Sequence, residues 1–220
     1  MRQTEEHGRG PRTPQPLIRE AGQGEKPRIT AFQICLLGMA VCINMAGGQI
    51  ALFLRLPIYL DSIGTILTGA LMGPWFGMLP NLLSGLILGM TTDIYSLYFA
   101  PVGMAVGLMS GLAFKGKDVK WTGLLWPAAV ITVPGTLLSS AICAGLFGGI
   151  TSSGSTILVQ LLAKTPLGLT GSVFAVQIAT DYLDRVISLF AVVCILRAIP
   201  SEMKRSWKGG RRHGSAGGAV

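Results

Sequence analysis

Residues 29–54 read ITAFQICLLGMAVCINMAGGQIALFL, and no charged side chain interrupts them. A helix needs about 20 apolar residues to cross a hydrocarbon core of about 30 Å, and this stretch supplies them. Arg55-Leu56-Pro57 ends it, because proline has no amide hydrogen to continue the helical ladder. Outward from there the pattern repeats. A short helix is expected over 60–73, closed by Gly73-Pro74, and a third over 75–90, closed by Thr91-Thr92-Asp93. A fourth runs from Tyr98 to Phe114, where Lys115, Lys117 and Lys120 stop it, and a fifth covers 121–146. The Gly/Ser-rich stretch from Gly148 to Ser155 and a shorter apolar segment at 156–163 lead to a sixth helix, Ser172 to Ile199, ended by Pro200.

Charge placement agrees with this count. Of the 220 residues 50% are hydrophobic and 13% charged, with a mean hydropathy of +0.56, whereas a soluble domain carries about 25% charged residues. Residues 29–114 hold only Arg55, Asp61 and Asp93, and residues 121–199 hold Lys164, Asp181, Asp184, Arg185 and Arg197. The segments 1–28, 115–120 and 200–220 carry net charges of +2, +2 and +4, the whole formal +8. A soluble enzyme, a disordered chain and a secreted disulfide scaffold are excluded. Nucleic-acid binders carry their basic residues on one folded face; here they flank apolar spans, as topogenic charges do. No nucleic-acid partner is expected, and the lipid bilayer with its anionic headgroups is.

With six crossings, all three basic clusters fall on the cytoplasmic side; five or seven would put one outside. The expected fold class is therefore an all-α membrane protein, a compact bundle of six transmembrane helices with both termini cytoplasmic. Residues 1–28, too polar and acidic for a signal peptide, are expected to form a disordered cytoplasmic tail. Residues 29–199 are expected to form a six-helix transmembrane domain that binds a substrate, and residues 200–220 a basic cytoplasmic tail.

This topology gathers polar side chains at the external mouth: Arg55, Tyr59 and Asp61 in the first loop, Asp93, Tyr95 and Tyr98 in the third, and Ser152, Ser153 and Lys164 in the last connection. Two readings stand for most of them. Arg55 and Asp61 either pair at the interface or bind a ligand, and Asp61 also suits a helix cap. Tyr95, Tyr98 and Phe99 either form an interfacial aromatic belt or stack on a flat heteroaromatic ligand. Asp181 and Arg185, four residues apart, form either a structural pair or a functional intramembrane site. Asn44, Asn81, Gln160 and Gln177 either satisfy a neighbouring helix or contact a ligand. The expected substrate-binding residues are Arg55, Tyr59, Asp61, Asn81, Asp93, Tyr95, Tyr98, Lys164 and Gln177.

Glycines recur every four residues at Gly69-Gly73-Gly77, Gly85-Gly89 and Gly103-Gly107-Gly111, a spacing that lets helices approach closely in lipid. Gly38, Cys42 and Ala46 make a similar stripe that suits docking of a partner subunit. Cys35, Cys42, Cys143 and Cys194 lie in apolar runs with no CxxC, and both histidines lie in the tails, so neither a metal nor another cofactor is expected. No nucleotide-binding loop, HExxH or GxSxG triad is present, and the chain is not expected to be an enzyme.

The run Leu56-Pro57-Ile58-Tyr59-Leu60-Asp61-Ser62-Ile63-Gly64-Thr65, followed by Gly69-Ala70-Leu71-Met72-Gly73-Pro74-Trp75-Phe76-Gly77, resembles the substrate-binding S components of bacterial energy-coupling factor (ECF) transporters. Tyr98-Phe99-Ala100-Pro101 and Asp184-Arg185 are similar as well, so the likeness spans roughly residues 30–200. It implies a six-helix, multi-pass protein of the bacterial cytoplasmic membrane that captures a vitamin-like small molecule from outside. It also implies two kinds of partner, a transmembrane T component and a pair of cytoplasmic ATPases. The family docks through an Ala-x-x-x-Ala pattern in its first helix; here Gly38 and Cys42 stand at that spacing, a departure. Two other classes remain open, a stand-alone secondary transporter and a ligand-sensing membrane module.

Overall fold

The computed structural model describes residues 31–114 and 123–198. The tails at 1–28 and 200–220 and the basic cluster Lys115–Lys120 lie outside the described residues. Within them the chain is all-α, with eight helices: α1 (Ala31–Phe53), α2 (Ile63–Met72), α3 (Pro74–Gly77), α4 (Leu79–Thr91), α5 (Ile94–Ala113), α6 (Leu125–Phe147), α7 (Ser155–Leu162) and α8 (Gly168–Ala198). Three of them, α1, α5 and α6, are long and apolar enough to cross a membrane, with mean hydropathies of 1.7, 1.4 and 1.8. Phe53 of α1 and Trp126 of α6, with Trp75 of α3 and Met90 of α4, are more than three-quarters exposed, a surface suited to lipid.

Breaks fall where local chemistry demands them. At 10 residues, α2 is about 15 Å long, half the hydrocarbon thickness. Gly73 closes it at φ 98°, a region open to glycine and closed to side chains. Pro74 then starts α3, and Pro80 sits in the first turn of α4, where its missing amide hydrogen costs nothing. The single helix expected over 75–90 is thus two, with the break at Met78. The helix expected from Tyr98 begins earlier, at Ile94, because Asp93 caps it, accepting from the Tyr95 N–H. The last helix likewise begins at Gly168 rather than Ser172.

The core joins Ile66 and Leu67 of α2, Val106 of α5, Ala128 and Ile131 of α6, and Leu189, Val192 and Val193 of α8, all buried. Close backbone approach seats the short helices on α5. A Cβ added at Gly107 would stand 2.1 Å from the Gly77 carbonyl oxygen, and one at Gly111 would stand 2.3 Å from Pro74. The Gly103-Gly107-Gly111 stripe is therefore a packing surface for α3 and the start of α4. The Gly38, Cys42 and Ala46 stripe is exposed instead, and a Cβ at Gly38 would meet nothing within 4 Å.

Buried polar groups tie the helices together. Asn44 donates to the Thr65 hydroxyl at 2.7 Å and accepts the Gly64 N–H at 2.8 Å, which fixes α2 on α1. Asp184 accepts the Leu60 N–H at 2.8 Å and the Ser62 hydroxyl at 3.3 Å, and pairs with Arg185, which also donates to Ser62. Of the two readings of Asp181 and Arg185, the structural pair does not form among the described residues. Asp181 faces α6 and accepts from Thr136 at 2.9 Å and Ser139 at 3.1 Å. Arg185 turns the other way because the first loop places Ser62 beside it.

Candidate functional site

The first loop passes over one end of the bundle with two residues in the left-handed region, Arg55 at φ 48° and Leu60 at φ 52°. Such conformations cost about 1–2 kcal/mol outside glycine, and packing holds them. Leu60 is anchored by its N–H on Asp184, and its carbonyl lies against Gly47, where an added Cβ would stand 2.1 Å away. Arg55 is met from the other side. A Cβ at Gly154 would stand 2.0 Å from the Arg55 carbonyl oxygen, so the connection before α7 locks onto the first loop.

Beneath these two connections lies a cavity. Its walls are Gly48, Ala51 and Leu52 of α1, Asn81, Ser84, Gly85 and Leu88 of α4, and Tyr95, Ser96 and Phe99 of α5. Leu56, Ile58, Tyr59 and Asp61 of the first loop, Asp93, and Thr151, Ser152 and Ser153 complete it. Its empty space is about 660 Å³ with the open mouth included, of which water molecules can place their centres in about 50 Å³. That inner space holds roughly three to five waters. A larger ligand requires the first loop or the 151–153 connection to move outward.

The cavity's polar groups are positioned by local structure. Asp93 receives three donors: the Tyr95 N–H at 3.4 Å, the Ser96 hydroxyl at 3.2 Å and the Ser152 hydroxyl at 2.8 Å. The last bond ties the start of α5 to the connection before α7. Asn81 donates to the Asp61 carbonyl at 3.1 Å, joining α4 to the first loop. The Tyr59 hydroxyl is buried among the described residues without a hydrogen-bond partner, and burial pushes its phenol up to about 12. It therefore stays a neutral donor at physiological pH.

Aromatic rings cluster around Phe147, at the end of α6, and two of them, Tyr95 and Phe99, line the cavity. Tyr95 and Tyr98 meet its ring edge-on at centroid separations of 4.8 and 5.3 Å, and Phe99 stacks on it at 6.2 Å. Tyr59 lies 6.5 Å from Phe99.

Of the residues expected to bind substrate, the structure brings Tyr59, Asp61, Asn81, Asp93 and Tyr95 together on this cavity. Four others do not line it. Arg55 and Lys164 are exposed, Tyr98 packs on Phe147, and Gln177 is buried on α8. No ion pair joins Arg55 to Asp61 among the described residues. Sequence reasoning missed Ser84, Ser96, Gly48 and Thr151 as lining residues. Ser96 carried a readable signal, since Asp93 is a favoured helix N-cap and Ser96 stands in the first turn it caps; Gly48 and Thr151 reach the cavity only through tertiary packing. Among the described residues no cluster of His, Cys, Asp and Glu suits a metal ion. Comparison with protein-family models, curated proteins and solved structures finds no match to this chain.

Proposed function

We propose that this chain is the membrane-embedded substrate-binding S component of an ECF-type importer, which captures a vitamin-like small molecule from outside the bacterial cytoplasmic membrane. In this reading the chain crosses the membrane six times with both termini cytoplasmic, and the cavity opens outward. A T component and an ATPase pair drive release into the cell, the T component docking along the exposed Gly38, Cys42 and Ala46 stripe. The observation that carries the reading is the cavity itself: mostly apolar and aromatic, with a few fixed polar groups, under two connections. The sequence motif that suggests the family, Leu56 to Thr65, forms the roof of that cavity and the start of α2.

A proton-coupled secondary transporter is the second reading. It is favoured by Asp181, which is 5% exposed and bonded to two hydroxyls rather than to a cation. Native mass spectrometry of the chain purified from its own membrane tests the first claim, that it is a binder. A small molecule bound at one per chain, lost in Tyr95→Ala, supports it; a chain that carries nothing after purification in mild detergent and takes up nothing from a vitamin mixture contradicts it.

A further inference from the structure

Charge around the cavity is one-sided. Its lining includes two carboxylic acids, Asp61 and Asp93, and no Lys, Arg or His among the described residues. The nearest basic side chains are taken or turned away. Arg185 is paired with Asp184 and donates to Ser62; Arg55 is exposed and absent from the lining. An anion placed here would meet two acids in a largely apolar enclosure and find no cation to compensate it, the least favourable arrangement for a buried charge. A cation meets the reverse. Asp93 already holds three hydrogen-bond donors, whereas the Asp61 carboxyl has one side-chain partner, Asn81, which makes Asp61 the better placed acid to act as counter-ion.

The rest of the lining suits a flat cation in particular. Tyr59, Tyr95 and Phe99 are among the lining residues, and aromatic rings attract cations through their quadrupoles and stack on planar groups. Ser84, Ser96, Thr151, Ser152 and Ser153 can turn their hydroxyl oxygens to accept from N–H groups.

We propose that the cavity selects a planar organic cation, such as an amidinium or a quaternised ring nitrogen, with Asp61 as its counter-ion, and rejects carboxylates and phosphates of the same shape. This rests on the reading of the cavity as the substrate site.

The test uses two probes of matched shape and opposite charge, 4-fluorobenzamidinium and 4-fluorobenzoate, with the full chain in lipid nanodiscs. Fluorine NMR relaxation reads binding of each. Benzamidinium binds at least tenfold more tightly than benzoate, and both Asp61→Asn and Tyr95→Leu weaken it about tenfold or more. The second variant keeps the test valid if Asp61→Asn folds poorly, which its thermal unfolding midpoint reports. Benzoate binding as tightly as benzamidinium, with loss in Tyr95→Leu, overturns the charge preference and leaves the cavity a ligand site. Benzamidinium binding that ignores both substitutions overturns the assignment to this cavity. Binding of neither probe overturns the proposal and counts against the cavity as a substrate site.

Discussion

Removal of the Asp184 carboxylate tests how the roof of the cavity is held. Its side chain is 1% exposed and that of Arg185 7%, so Asp184→Leu leaves a guanidinium buried without its counter-ion. Breaking a buried pair by deleting one partner costs about 3–5 kcal/mol. The Leu60 N–H also loses its acceptor at 2.8 Å, which adds about 1–3 kcal/mol for an orphaned buried donor. The single change should therefore cost roughly 4–8 kcal/mol. In Asp184→Leu/Arg185→Leu the stranded charge is gone and chiefly the orphaned N–H remains, so the double change should cost about 1–3 kcal/mol. The implied coupling of about 3 kcal/mol or more lies at the top of the range for contacting residues. Thermal unfolding of the purified chain in one detergent, followed by circular dichroism, reads the difference. At about 2–4 °C per kcal/mol for a chain of this size, the single variant should melt about 6–20 °C below the double. A single variant no less stable than the double would refute the claim that Asp184 is held as the counter-ion of Arg185.

Other expectations follow from the same contacts. Asp93→Ala removes the cap of α5 and the bond to Ser152, so it should cost about 1–2 kcal/mol; Ser152→Ala, measured in the same unfolding assay, should cost less. Gly107→Ala should prevent folding, since the new methyl would stand 2.1 Å from the Gly77 oxygen. Gly38→Ala, with nothing within 4 Å, should stabilise α1 by about 0.5–1 kcal/mol; survival of the first variant at wild-type yield would contradict the close packing. Tyr59 is held protonated up to about 12 against about 10 for a free phenol. The stability this confers is complete below pH 10 and is lost as pH rises through 12, by about 3 kcal/mol. Tyr59→Phe should flatten the alkaline unfolding curve over that interval relative to wild type, and identical curves would count against a buried phenol. In a chain freed of its four cysteines, Ser152→Cys should label from outside and Lys117→Cys from inside; labelling from one side would contradict six spans.

The sequence revealed the elements better than their contacts. Long helices were legible because proline, glycine and charge mark their ends: Arg55-Leu56-Pro57 after α1, Gly73-Pro74 after α2, Gly148 after α6. The break at Met78 was less so, because Pro80 in a first turn and Pro101 or Pro134 inside a helix look alike in a string of letters. Spacing also misled at Asp181 and Arg185. A separation of four residues is a local signal, whereas Arg185 found Ser62 and Asp184, a choice set by the packing of the first loop against α8. The candidate site was half legible. Tyr59, Asp61 and Asp93 stand in loops and Tyr95 in the first turn of α5, positions that the helix ends mark in the sequence, while Tyr98, half exposed and almost one turn further on, does not reach the lining. Lys164 was grouped with them by topology alone, and topology does not say which part of a mouth a side chain reaches.

The central claim is that this chain binds a substrate and that separate subunits move it. It is tested most directly by uptake into proteoliposomes of whatever small molecule purifies with the chain. The account predicts accumulation against a gradient only when a T component and its ATPase pair are reconstituted with the chain and ATP is present on the ATPase side, and none when Gly38→Leu blocks the stripe on α1. Concentrative uptake by the chain alone, driven by a proton gradient and abolished by Asp181→Asn, would contradict it.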